Sequence, residues 1–244
     1  MERCGGRWSG FGRTGMCRIA IVAAMEREVA PLIRGWKVRE IEHDGRQCRV
    51  FENEDAVLIC GGMGAEAARR ATEAVIEATR PARVLSVGFA GALDSTMKVG
   101  DVLEPRVVVN AADGARTDTG TGQGTLVSYA AVADRDQKQR LSRAYAAIAV
   151  DMEAAAVAQG AQARGVEFGA LKAISDAADF TMPPTERFVS SNGEFRPTAF
   201  ALYVALRPWL WGRTITLARN SARASRALCA AIDEFRKRET RVLT

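Results

Sequence analysis

The stretch AIVAAMEREVAPL, Ala20 to Leu32, changes character at its middle. Small and β-branched apolar residues fill its first half; Glu26, Arg27 and Glu28 interrupt them, and apolar residues return at Val29 and Leu32. A continuous apolar run followed by apolar positions three apart reads as a buried strand, Cys17–Met25, feeding a helix, Arg27–Arg34. Acids at such a junction have two readings. A carboxylate in the first helical turn complements the helix dipole; one at the carboxyl end of a buried strand stands where α/β proteins bind ligands.

The same junction recurs along the chain. Ala56–Cys60 ends at GGMG (Gly61–Gly64) before an Ala-rich helix, Ala65–Ala78. Cys48–Asn53 pairs with it across the polar turn NED, and EHDGR around His43 reads as another turn. Arg83–Val87 ends at GFAGAL, KVGDVLEP leads into Val107–Val109, LVSYAAVA reads as a strand and Asp134–Ala144 as a polar helix. Ile148–Val150 runs into the helix of DMEAAAVAQGAQARG, and Phe168–Ile174 stops at SDAAD. Alternating strands and helices imply a three-layer α/β/α domain with a mixed, largely parallel twisted central sheet. After a loop at Phe180–Pro197, helices at Thr198–Leu206 and Trp209–Arg238 form a C-terminal extension. Residues 1–15, rich in Gly and Arg with no apolar period, are expected to be a disordered arm. The domain is expected over 16–244, with 198–244 as its basic helical tail.

Composition narrows the chemistry. A chain of 244 residues, 48% hydrophobic and 26% charged, is an ordinary globular domain without a membrane-length apolar run. Five scattered cysteines, none spaced C-x-x-C, argue against a disulfide framework or zinc site and for a reducing cytoplasm. With His43 the only histidine, mechanisms built on a histidine base are nearly excluded. No G-x-G-x-x-G follows the first strand, so a dinucleotide fold has little support. The net charge of +5 divides into +3 over residues 1–18, +6 over 207–241 and −4 between them. The basic ends carry no aromatic-interleaved platform, so nucleic acid is not an expected partner.

Three acids stand at three strand ends: Glu28, Glu153 in VDME, and Asp176 in SDAAD. Glu26 and Asp151 are well explained as first-turn acids, and Ser175–Asp176 taken alone could be an N-cap pair. Together the three acids predict an acid-lined pocket.

In order and spacing, IAIVAAMEREV, GGMG, VGFAGAL…KVGDV, VDMEAAAVAQ and LKAISDAAD resemble the nucleoside phosphorylase and nucleosidase superfamily. The branch most like this chain is the methylthioadenosine/S-adenosylhomocysteine nucleosidases, and the resemblance spans Met16 to Asp179. It implies that Glu28 is the base for water and that Asp176, with Ser175 beside it, protonates or hydrogen-bonds N7 of a purine leaving group. Met152 and Glu153 would hold the ribose, and Phe89, Ala90 and Gly91 would line sugar and base, with Met25 and Val150 bordering them. The implied reaction is cleavage of the N-glycosidic bond of an adenine nucleoside by water. A phosphate-dependent phosphorylase and an inactive nucleoside-binding member are the alternatives. No metal or organic cofactor is implied, though phosphate would be co-substrate of a phosphorylase. A homodimer or higher homo-oligomer is expected.

The chain departs from that pattern in places. Asn110 replaces the usual histidine, Ala131 falls where an aromatic residue stacks on the purine, and Lys172 replaces a common arginine. Phe89, Phe180 and Phe188 are the candidates to restore stacking. No arginine adjoins GGMG or GFAG to hold phosphate; Arg69 and Arg83 lie on a helix and at a strand start. The cationic tail with Trp209 and Trp211 reads first as a helix covering the sheet, and alternatively as a membrane-surface helix of a peripheral cytoplasmic enzyme. With the shortened middle region it resembles the hopanoid-associated phosphorylases, for which the lipid-linked nucleoside adenosylhopane is the proposed substrate.

Overall fold

The computed structural model describes residues 19–184, 186–188, 190, 193 and 195–242. The expectation for residues 1–15 falls outside these residues.

β1 (Ile19–Ala23) is buried along its whole length. Ile19 and Ile21 pack with Val29, Leu85 and Leu228, while Ala20 and Val22 pack with Ala71, Val75 and Val57. Such a strand needs a helical layer on each side, and the elements that follow supply both. They are α1 (Glu26–Ile33), β2 (Lys37–His43), β3 (Arg46–Glu52), β4 (Ala56–Cys60), α2 (Ala65–Thr79) and β5 (Arg83–Ala92). Next come β6 (Val102–Leu103), β7 (Val107–Asn110), β8 (Arg116–Asp118), β9 (Thr125–Ser128), α3 (Arg135–Tyr145) and β10 (Ala149–Asp151). α4 (Ala154–Gln162), β11 (Glu167–Asp176), α5 (Pro197–Ala205) and α6 (Pro208–Val242) complete the chain. The sheet runs β2-β3-β4-β1-β5-β10-β9-β7-β8, with β11 pairing β5 and β6. α2 and α4 pack together on one face, and α1 and α6 on the other. This is the three-layer architecture read from the sequence.

β5 is the strand that makes room for a site. Its first four residues pair parallel with β1, Ile19↔Arg83 to Val22↔Ser86. That ladder then ends, and β10 pairs antiparallel with Gly91 and Ala92. Between Ser86 and Gly91 this edge of β5 has no strand partner, so the sheet splits where β1 turns into α1 and β10 into α4. β11 follows β5 parallel throughout, from Glu167↔Arg83 to Asp176↔Gly91.

Three local expectations differ from what forms. The EHDGR turn joins two strands, of which β2 was not expected: Asp44 (φ 50°) and Gly45 (φ 71°) make a tight hairpin turn. β2 is an edge strand with mostly exposed residues, so it lacks the apolar run by which its neighbours are recognised. The strand read into LVSYAAVA stops at Ser128, and the short strands β6 and β8 were not anticipated. The two C-terminal helices form where expected. Ala224, Leu228, Cys229, Ile232 and Phe235 bury the second half of α6 against the sheet, so covering the sheet is its structural role.

Candidate active site

Glu28 is the third residue of α1 and only 3% exposed. Its Oε2 accepts the Met25 backbone N–H at 3.2 Å, closing the first turn as the acid of a capping box does. The helix therefore fixes the carboxylate, and the dipole reading and the site reading hold at once. Across from it, a Cβ at Gly88 (φ 147°) would stand 3.2 Å from Glu28 Oε2. The missing side chain leaves that space to the carboxylate. Burial pushes the Glu28 carboxyl above its ordinary value, against the pull of the Lys172 charge and the Met25 and Phe89 backbone hydrogen bonds. Glu26 instead points outward and pairs with Arg49, as a surface acid should.

Glu153 lies between β10 and α4. Its Oε1 accepts the Gly64 N–H at 2.8 Å and its Oε2 the Met152 N–H at 3.3 Å, which ties the GGMG turn to VDME. Its neighbour Asp151 turns into the interior. There it accepts from Ser128 Oγ at 2.5 Å and from the Ala154 N–H at 2.9 Å, and lies 2.9 Å from Lys172 Nζ. Burial, then the Asp151 charge, push the Glu153 carboxyl up to about 7, with Lys172 opposing. Burial alone would depress the Lys172 ammonium, but Asp151, Glu153 and Glu28 together hold it above its ordinary value. Asp151 ends β10 and pairs with Lys172, so it is not the first-turn acid of α4 that the sequence suggests. Lys172 emerges as a buried cation shared by three carboxylates.

Asp176 ends β11, where the register slips between Ile174 and Asp176 so that Ser175 is the extra residue of a bulge. Ser175 Oγ donates to Asp176 Oδ1 at 2.8 Å. Asp176 Oδ2 accepts from Lys138 of α3, whose Nζ also donates to the Ala177 carbonyl at 2.8 Å. Asp176 and Lys138 thus form a buried ion pair. Lys138 was not anticipated. The signal was present: it sits three residues before buried Leu141, on the inward face of a helix otherwise polar.

One cavity of about 700 Å³ collects these groups, within the range of small-molecule sites. Its wall includes Glu28, Glu153 and Asp176 together with Met25, Phe89, Ala90, Gly91, Val150, Met152 and Ser175, so every site residue expected from the sequence lines it. Ala131 lines it as well, where a stacking aromatic was expected. Phe89, Phe195 and Phe200 supply aromatic wall instead; Phe188 packs behind Phe200 at 5.4 Å, and Phe180 is not in the wall. Phe195 and Phe200, 5.6 Å apart, escaped the sequence reading because they lie beyond the last matching motif. From α1 and α6 the wall takes apolar Ala30, Pro31, Leu217 and Ala218 beside polar Arg27, Thr214, Ser221 and Arg226. Arg69 is engaged by Glu66 and Glu73, and Arg83 by Glu167 and Glu239. Among the described residues, no three His, Cys, Asp or Glu side chains are grouped to hold a metal ion.

Residues 18–140 and 125–206 match the phosphorylase superfamily. The chain is 30% identical over 202 residues to the 5′-methylthioadenosine/S-adenosylhomocysteine nucleosidase of Actinobacillus succinogenes, covering 66% of this chain and 86% of that enzyme. Its fold is similar to that of the S-adenosylhomocysteine nucleosidase of Streptococcus pyogenes, solved with 5-methylthiotubericidin. That match has a TM-score of 0.66 and 20% identity over 91% of this chain and 96% of that one. The futalosine hydrolase of Helicobacter pylori is similar in fold to the same degree, with a TM-score of 0.64 and 22% identity over 90% and 98% of the two chains.

Proposed function

The chain belongs to the phosphorylase superfamily, and from that premise we propose that it cleaves the N-glycosidic bond of an adenine nucleoside with water, releasing adenine and a 5′-substituted ribose. The observation that carries the reading is the sharing of one cavity by Glu28, Glu153 and Asp176. The bond breaks through an oxocarbenium-like ribose, which a carboxylate beside the sugar stabilises electrostatically; Glu153 has that role and accepts from the ribose hydroxyls. Glu28 takes the proton of the attacking water, and its raised pKa makes it a stronger base near neutrality. Asp176, oriented by Ser175, delivers a proton to N7 of the departing base. Met25, Met152, Val150 and the backbone of Phe89–Gly91 enclose sugar and purine. The division of labour parallels the acid and base carboxylates of glycosidases and needs no metal or organic cofactor.

Water is preferred to phosphate because a buried carboxyl fixed at a helix N-terminus suits proton abstraction and would repel a phosphate dianion. Adenine release from methylthioadenosine, S-adenosylhomocysteine and adenosine, followed with and without inorganic phosphate, tests this. Release independent of phosphate is expected; strict dependence would make the enzyme a phosphorylase.

A second reading concerns the 5′ substituent. Ala30, Pro31, Leu217 and Ala218 give this wall an apolar strip, set among Arg27, Thr214, Ser221 and Arg226, and the strip suits a nucleoside with a hydrocarbon extension, as in a lipid-linked substrate. A 5′-alkylthioadenosine series checks it: kcat/KM should rise with chain length, and a fall beyond methyl would exclude such an extension. Contact of α6 with a membrane surface belongs to the same reading. Among the described residues no helix is long and apolar enough to cross a membrane.

A further inference from the structure

The Lys138–Asp176 pair is not explained by stability. Both side chains are almost fully buried, and a buried ion pair seldom stabilises more than apolar residues of the same volume. Space is nevertheless reserved for it. A Cβ at Gly91 would lie 2.9 Å from Asp176 Oδ2 and 3.2 Å from Lys138 Cε. Both groups line the cavity, and the Ala177 carbonyl holds the ammonium in place.

The arrangement bears on the step the base requires. An adenine that leaves through N9 carries its bonding electrons and must gain a proton at N7. Asp176 accepts at both oxygens, from Ser175 at Oδ1 and from Lys138 at Oδ2. Both carboxylate oxygens are thus taken up by donors, and the Lys138 ammonium is the proton-bearing group in direct contact with Asp176. We propose that Lys138 is a positioning residue that supplies, through Asp176, the proton that leaves with the base; the proposal rests on the nucleosidase reading above. The Lys138 N–H bond breaks as an O–H bond forms at Asp176 Oδ2. That proton passes to purine N7 while the C1′–N9 electron pair withdraws into the ring. Water bonds to C1′ and loses its proton to Glu28. Lys138 ends as a neutral amine and Glu28 as a carboxylic acid, and proton exchange with solvent restores both. Lysine suits this role because an ammonium has a transferable proton, whereas a guanidinium stays protonated in proteins.

Two variants and two substrates test it. Lys138→Arg keeps a cation on Asp176 but removes the transferable proton. Lys138→Met removes the cation and leaves Asp176 buried with Ser175 as its remaining side-chain donor. Each is measured on methylthioadenosine and on 4-nitrophenyl 5-methylthioriboside, whose leaving group needs no proton. The ratio of adenine to nitrophenol turnover should fall about 10²-fold or more in K138R and roughly tenfold in K138M, the range of a lost proton transfer. A purely structural pair would rank the two variants the other way, since arginine preserves the charge. If K138R does not fold, K138M alone decides, and a ratio equal to the parent's overturns the proposal. A parent enzyme that releases adenine from no nucleoside overturns the nucleosidase reading itself, and this proposal with it.

Discussion

Lys172 Nζ lies 2.9 Å from Asp151 Oδ2, and neither side chain reaches solvent. Asp151 borders the cavity, and the same ammonium acts on Glu28 and Glu153 as well. Lys172→Met would leave Asp151 in the interior without its countercharge, a loss of about 3–5 kcal/mol for a broken buried pair. In a chain of 244 residues each lost kcal/mol lowers Tm by roughly 2–4 °C. The lost cation also lets the Glu28 and Glu153 carboxyls rise further, so the acid limb of the pH–rate profile should move to higher pH. A K172M protein melting with the parent would show that the pair contributes no such stability.

Glu28 both closes the first turn of α1 and stands in the cavity, and one substitution separates the two roles. Glutamine also serves at the third helical position of a capping box. Glu28→Gln should therefore melt within a few degrees of the parent while kcat falls by about 10²- to 10⁴-fold, the usual contribution of a general base. Turnover retained in E28Q would remove Glu28 from the mechanism.

How far the site was legible follows from how each residue is held. Glu28, Glu153 and Asp176 were found because each ends a strand with a recognisable apolar run, and strand order in an α/β fold fixes where such ends meet. Glu26 could be set aside for the right reason, since it is two residues nearer the helix start and pairs outward with Arg49. Lys138 was hidden because a lysine in RDQKQRLSRAY looks solvated until the third dimension buries it. Phe195 and Phe200 arrive through long-range packing from a loop and α5, and no local spacing announces that. β2 is illegible for the opposite reason: an exposed edge strand has little apolar signal, so of the two strands its Asp-Gly turn joins only β3 shows in the sequence.

The Glu153 carboxyl, ordinarily near 4.5, stands at about 7 in the folded protein because burial and Asp151 disfavour its charge. Between those values the folded chain holds a proton that the unfolded chain has released. Stability should therefore be greatest below about pH 4.5 for this group, decline as pH rises to 7, and level off above. Glu28, also raised, acts in the same sense. Glu66, Asp94 and Asp118 are lowered and act oppositely, but their contribution is complete above pH 4.5. Urea midpoints at pH 5 and pH 7.5 should differ less in Glu153→Gln than in the parent. An unchanged difference would mean that Glu153 is not the proton holder.

The α5–α6 corner carries the membrane reading to a test. Leu206, Trp209 and Ile215 are 71%, 73% and 51% exposed, within ten residues of one another. The corner is fixed by Trp211 Nε1, which donates to the Val204 carbonyl at 3.0 Å. Residues 207–241 carry a charge of +6, and Arg213 and Arg219 lie on the exposed first half of α6. Apolar and indole groups beside arginines suit the interface of an anionic bilayer, where each basic residue contributes about 1 kcal/mol near the surface. The full chain should sediment with phosphatidylglycerol vesicles and not with phosphatidylcholine alone, and rising salt should weaken the binding. The double variant Leu206→Ser, Trp209→Ser should lose vesicle binding at least tenfold while keeping parental Tm and methylthioadenosine turnover, since neither residue lines the cavity. Equal partition of the variant and the parent would leave this corner without a membrane role.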